Sequence, residues 1–155
     1  MTIRYSTGTI NRLLGDYSVS NANNGLAGVF KDGFIYIYSG SQPASADSAA
    51  TGTLLAKVSK DAGSFTHGVS TNGLQFGVPS GGVISKSGSQ NWQYTGIASG
   101  TAGWFRFVGN AADVDSSSIR MDGSISTTSG DLILSTTTIV IGTPGTIDQF
   151  TITAS

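Results

Sequence analysis

His67 is the single histidine of the 155-residue chain, which also has nine aspartates, no glutamate and no cysteine. Those counts limit the chemistry that can be assembled. One imidazole excludes histidine pairs, and the missing thiols exclude a cysteine nucleophile, a disulfide framework and cysteine-based metal centres. His67 could serve a Ser-His-Asp arrangement, since serine and aspartate are plentiful. Flanked by Phe65, Thr66 and Gly68, it reads instead as a histidine on a strand edge or loop. Asp113-Val114-Asp115 places carboxylates like the start of a calcium loop, but Ser118 stands where glycine is needed and Ser124 where a bidentate glutamate belongs. A solvated turn between strands is the better reading. No Gly-x-Gly pair, Gly-Lys-Ser/Thr or Gly-x-Ser-x-Gly occurs; the nearest approach to the last is Gly68-Val69-Ser70-Thr71-Asn72, which ends in asparagine. The expectation is a protein that is not an enzyme, with no cofactor and no metal.

Trp92, Tyr94, Trp104, Phe105 and Phe107 could line a sugar-binding platform. Aromatic residues at period two in apolar strands more commonly form core, where each buries a large area. Arg106 sits among them, and a guanidinium in an aromatic strand must reach solvent, stack on a ring, or pair with a carboxylate at a subunit contact.

The elements that would position these residues are strands. Gly, Ser and Thr number 22, 23 and 18, charged residues make up 11%, and leucine is scarce, which removes the residues that fill helix surfaces. A helical bundle or coiled coil is thereby excluded. With 38% hydrophobic residues the chain is too apolar for a disordered Gly/Ser tract. A formal charge of −1 supplies no basic field for a phosphate backbone, so nucleic acid is not an expected partner. The first residues, Met1 to Ser6, have no apolar signal-like run, and no apolar stretch approaches the ~20 residues of a membrane-spanning helix, so a soluble protein without a secretory signal is expected.

Period-two patterns separated by Gly, Asn, Asp or Pro predict about eight to ten strands. Phe34 to Tyr38 is apolar on both faces and reads as a central strand behind an Asp32-Gly33 turn; Thr53 to Ser59 and Leu74 to Val78 read as half-buried strands. Trp92 and Tyr94 share a face, Trp104 to Val108 is filled on both sides apart from Arg106, and three more strands follow at Asp131–Leu134, Thr137–Ile141 and Thr146–Thr153. Pro144-Gly145 predicts a hairpin between the last two. Ser39 to Gly52, rich in Ser and Ala, reads as a long crossover loop. Near the start, Thr9 caps a short helix carrying Leu13 and Leu14, ended by Gly15. The fold expected is all-β, a sandwich of jelly-roll or Greek-key type with at most one short N-terminal helix: residues 1–25 form an N-terminal segment or arm and residues 26–155 a single β-sandwich domain.

Read whole, Phe34-Ile-Tyr-Ile-Tyr-Ser-Gly-Ser-Gln-Pro-Ala-Ser-Ala-Asp47, Thr51-Gly-Thr-Leu-Leu-Ala56, Ala98-Ser-Gly-Thr-Ala-Gly-Trp-Phe-Arg106, Asp122-Gly-Ser-Ile125, Ser129-Gly-Asp-Leu132 and Thr146-Ile-Asp-Gln-Phe-Thr-Ile-Thr153, with Asn11-x-Leu-Leu14, are distinctive in combination. Together they resemble small structural proteins of tailed bacteriophages and prophages. The resemblance implies a virion component made in bacterial cytoplasm, specifically a capsid cement or decoration protein. Such a protein would be a homotrimer on the capsid surface, bound to the major capsid protein. A tail, neck or fibre component is the nearest alternative; a carbohydrate-binding module using Trp92 or Trp104 is one of another class. Ile3, Arg4, Tyr5 and Arg12 of the N-terminal arm, with Arg106, are the expected interface residues.

Overall fold

The computed structural model describes residues 3–13 and 25–153. The chain runs β1 (Arg4–Tyr5), α1 (Thr7–Leu13), α2 (Leu26–Val29), β2 (Phe34–Ser39), β3 (Leu54–Lys60), β4 (Val83–Ser85), β5 (Trp92–Thr95), β6 (Gly100–Val108), β7 (Arg120–Ser126), β8 (Leu132–Leu134), β9 (Thr138–Ile139) and β10 (Pro144–Thr153). The protein is all-β. Its sheet closes on itself as a seven-strand barrel, β2-β6-β7-β8-β10-β5-β3 and back to β2, with β1 paired outside on β7, β9 on β6 and β4 on β10. All pairings of the ring are antiparallel except β7–β8. Closure leaves the ring strands without an unpaired edge.

Alternation along each strand fills the barrel. Ile35 and Ile37 from β2, Val58 from β3, Trp92 and Tyr94 from β5, Phe105 and Phe107 from β6, and Phe150 from β10 all point into one apolar cluster. The aromatic rings there meet at offset and edge-on angles, with Phe107 5.8 Å from Trp92 and Phe150 5.4 Å from Phe105. β2 is central and packed on both sides, as its unbroken apolar run predicts. A register shift opposite Ile37/Tyr38 lets Leu55 and Ala56, adjacent in sequence, both be buried, which strict alternation does not allow.

Four local expectations are corrected. Leu74 to Val78 forms no ladder of its own: Leu74 and Phe76 make isolated bridges to Gly33 and Lys86, and Val78 is 92% exposed. Pro144 and Gly145 lie inside β10, paired with Thr95 and Tyr94; the chain reverses just before them, where the Thr143 N–H donates to Val140 O (3.1 Å). β9 and β10 consequently pair with β6 and with the β5/β8 region, and make no hairpin with each other. The cap of α1 is Ser6, whose Oγ accepts the Thr9 N–H (3.1 Å), so Thr9 lies within the helix; Leu14 and Gly15 lie outside the described residues. A second helical turn, α2, adds to the single short helix expected.

The turn after β3 stores strain that can be tested. Gly63 N–H donates to Lys60 O (3.0 Å), and both central residues, Asp61 and Ala62, have φ of 53°. This is the primed geometry that favours Asn/Asp-Gly. Ala62→Gly is expected to raise stability by about 0.5–1 kcal/mol, because relief of left-handed strain exceeds the added chain entropy. Urea unfolding would read it; an unchanged or lower midpoint would count against the strain.

Candidate functional site

The ionisable residues that strands bring together lie on the outer face of β3, β2, β6, β7 and β1. Register aligns Lys57, Tyr36, Arg106, Asp122 and Arg4 in one row across five strands. Arg106 Nε and Nη2 donate to Asp122 Oδ1 and Oδ2, each at 2.8 Å, with the two residues 1% and 0% exposed. The Arg106 guanidinium also lies over the Trp104 ring, 5.5 Å from its centroid. Burial disfavours charge on both partners. On Asp122 it outweighs the Arg106 contacts and pushes the carboxyl upward; on Arg106 the paired carboxylate outweighs it and holds the proton more tightly.

These side chains serve to fasten a loop. Residues 40–53, joining β2 to β3, fold down over the outer face. Arg4 Nη1 donates to Pro43 O (2.5 Å), Arg120 Nη1 to Ala46 O and Asp47 O (3.1 Å each), Arg106 Nη2 to Ser48 O (3.0 Å) and Trp104 Nε1 to Thr51 O (3.2 Å). Donors from β1, β6 and β7 thus meet the backbone carbonyls of one loop, which would otherwise lie against the sheet unpaired. Gly103 permits the approach, because a Cβ there would overlap Gly40 O. Arg120 is held in turn by Asp113 (Nε to Oδ1, 2.5 Å).

The N-terminal segment closes the same assembly. Ser6 and Thr9, both fully buried, join Ser118 O and the Arg120 backbone: Ser6 Oγ donates to Ser118 O (2.6 Å), Thr9 Oγ1 donates to Arg120 O (2.9 Å) and accepts from Arg120 N (2.8 Å). Thr7 N–H and Oγ1–H both donate to the Asp47 carboxylate at 2.7 Å, which places a negative charge at the first turn of α1. The Thr7 side-chain bond, then its backbone bond, hold the Asp47 carboxyl below its ordinary range. A lowered folded-state value means stability present above the ordinary carboxylate range and lost as pH falls through the lowered value. Protection of the amides of residues 7–10, taken relative to the intrinsic exchange rate at each pH, is therefore expected to fall on acidification below that range while the barrel strands keep theirs, and Asp47→Asn to show the low protection already at neutral pH. NMR-detected exchange checks both; pH-independent protection in the native chain would oppose the assignment.

A second loop, residues 61–73, lies over the start of β2. Phe65 stacks on Phe34 with centroids 3.6 Å apart, and Tyr36 Oη lies 2.8 Å from His67 Nε2. His67 Nδ1 is 3.2 Å from Asn110 O. A carbonyl can only accept, so Nδ1 donates to Asn110 O, and Nε2 meets the Tyr36 hydroxyl. Burial first, then Tyr38 and Asp113, push the Tyr36 phenol up to about 12. It stays a neutral donor at physiological pH and is no activated nucleophile; the Tyr36–His67 pair holds the loop to the strand.

Trp92, Tyr94, Trp104, Phe105 and Phe107 are 0–5% exposed, so none presents a ring face to solvent as a sugar platform would need. Asp115 caps its own turn, accepting Ser117 N (2.9 Å), and no group of three potential metal ligands is found among the described residues. Ile3, Arg4 and Tyr5 are half-buried, with Ile3 and Tyr5 packed on the barrel core and Arg4 on the loop. Arg106 is fully engaged inside the chain, meeting a ring and an intrachain carboxylate together. The Arg12 side chain lies outside the described residues. Sequence reading paired neither Asp122 with Arg106 nor Ser6 and Thr9 with the Arg120 backbone. The available signal was the alternation Arg120, Asp122, Ser124, a polar face on a strand whose other face carries Met121 and Ile125. Compared with family models, curated proteins and solved structures, the chain matches none.

Proposed function

We propose that this chain is a structural component of a tailed-bacteriophage virion, acting as a cement protein that binds the major capsid protein, as a homotrimer, on the outside of the assembled head. The observation that carries this reading is how the clustered charges are used. Arg4, Arg106, Arg120, Asp113 and Asp122 bind the chain's own loop and sheet, leaving a closed barrel whose exposed positions are rich in Ser, Thr and Gly. Such a body suits wide contacts made by shape and backbone hydrogen bonds. The resemblance of the segments from Phe34 to Thr153 to phage structural proteins supplies the particle. The finer fold reading belongs to the same proposal: β6 lies beside β2 in the order β6-β2-β3-β5, an order that matches the return of a Greek key and supports that reading.

Cement action is mass action. A protein binding only the expanded shell stabilises it by RT ln(1 + [L]/Kd), about 2.7 kcal/mol per site at a hundred times Kd. The test adds purified chain to expanded heads assembled without it and images them by cryo-electron microscopy. Saturable occupancy following the capsid symmetry is expected. No head binding ends the cement reading, and density confined to tail or neck replaces it with a tail component.

A further inference from the structure

We propose that the end of the barrel where β2 finishes and β6 begins is a self-association surface, with a second copy of this chain as its occupant. Two independent observations meet there. The first is exposed apolar area: Ile97, Val140 and Ile141 are 46%, 50% and 63% exposed. They form one patch because their segments are locked together. Gly96 N–H donates to Thr143 O (2.9 Å), Gly142 N–H to Gly96 O (2.8 Å) and Ile141 N–H to Ser99 Oγ (3.0 Å). The patch is thus held in one geometry before any partner arrives, which lowers the ordering cost of binding.

The second observation is charge. Residues 95–105 and 132–147, which supply the β5–β6, β8–β9 and β9–β10 connections at this end, contain no Asp, Glu, Lys, Arg or His. Asp131, the nearest acid in the β7–β8 connection, turns its carboxylate inward to Ser124 N and Oγ, each at 2.8 Å. At the opposite end the strand ends and connections carry Lys31, Asp32, Lys60, Asp61, Asp113 and Asp115.

The choice of occupant follows from that asymmetry. A symmetric contact brings like patches of two copies together, so any net charge would face itself. An end whose acids, Asp47 in the β2–β3 connection and Asp131, are both engaged within the chain has no such penalty, and equally offers nothing to select a charged partner. β9 adds to it: this two-residue strand ends the sheet path, so its second edge has no neighbour among the described strands. The inference does not rest on the virion reading.

Sedimentation equilibrium of the full chain at concentrations up to about 100 µM, a range that detects Kd values from nanomolar to tens of micromolar, tests it. The native chain is expected to be oligomeric. Ile141→Asp and Ile97→Ser are each expected to weaken association about thirty-fold or more, as removal of a central interface anchor does. Val78→Asp, beside β4 at the opposite end, is expected to leave it unchanged. Circular dichroism melts confirm that each variant is folded, which exposed positions allow. A monomeric native chain, folded Ile141→Asp and Ile97→Ser variants that keep the native mass, or equal loss in Val78→Asp would each overturn the proposal. Failure to bind phage heads would not touch it.

Discussion

Asp122→Ala is expected to destabilise the fold by about 3–5 kcal/mol, because it leaves the Arg106 guanidinium buried without its counter-charge. Both members are sealed from solvent, at 1% and 0% exposed, so the orphaned cation cannot be rescued by water without moving the loop of residues 40–53 away. At about 2–4 °C per kcal/mol for a chain of this size, the melting temperature falls by roughly 6–20 °C. The pair itself contributes far less than its removal costs, since desolvating two ions offsets most of their attraction. Replacing both residues by leucine is therefore expected to recover most of the loss from Asp122→Ala, although Ser48 O then loses its donor. Urea unfolding followed by tryptophan fluorescence distinguishes the cases. A loss below about 1 kcal/mol for the single variant would mean that the row of charges is better hydrated than its burial indicates.

The same pair shows what could and could not be read in the residues alone. The strand content, the two-sided packing of β2 and the burial of Trp92, Tyr94, Phe105 and Phe107 follow from period-two alternation, a local property. Barrel closure does not, because it depends on which strands become neighbours. β6 lies beside β2, far from it in sequence, and β7 lies parallel to β8. Turn chemistry misled at Pro144-Gly145, where Gly145 sits in a strand because the Tyr94 ring occupies the space a Cβ would need. For the site, Arg106 was legible as an anomaly in an aromatic strand. Its partner was not, since Asp122 is 16 residues away and meets it only through the β6–β7 register. His67 was read in isolation; Tyr36, 31 residues earlier, gives it a role, and no local spacing encodes that contact.

Phe107→Ala is expected to be at least as damaging as loss of Asp122, at about 3–5 kcal/mol, but by a different route. Its ring lies 5.0 Å from Phe30, 5.7 Å from Phe76, 5.8 Å from Trp92 and 6.1 Å from Phe150, which joins the C-cap of α2, the segment before β4, β5, β6 and β10 in one aromatic cluster. Deletion removes the transfer free energy of the side chain and leaves a cavity that a closed barrel cannot collapse, because the ring strands are tied on both sides. Aromatic pair geometry adds about 0.5–1.5 kcal/mol for each well-oriented contact, so Phe107→Leu, which refills part of the volume without the ring, is expected to lose less than the alanine variant yet still register. The two variants also separate mechanisms. A cavity cost is nearly independent of salt and of pH between 5 and 9, whereas Asp122→Ala exposes an electrostatic defect that responds to ionic strength once the loop opens. Equal stability of Phe107→Ala and the native chain in urea titration would show that the barrel interior is not the seat of its stability, and the fastened outer face would then have to be.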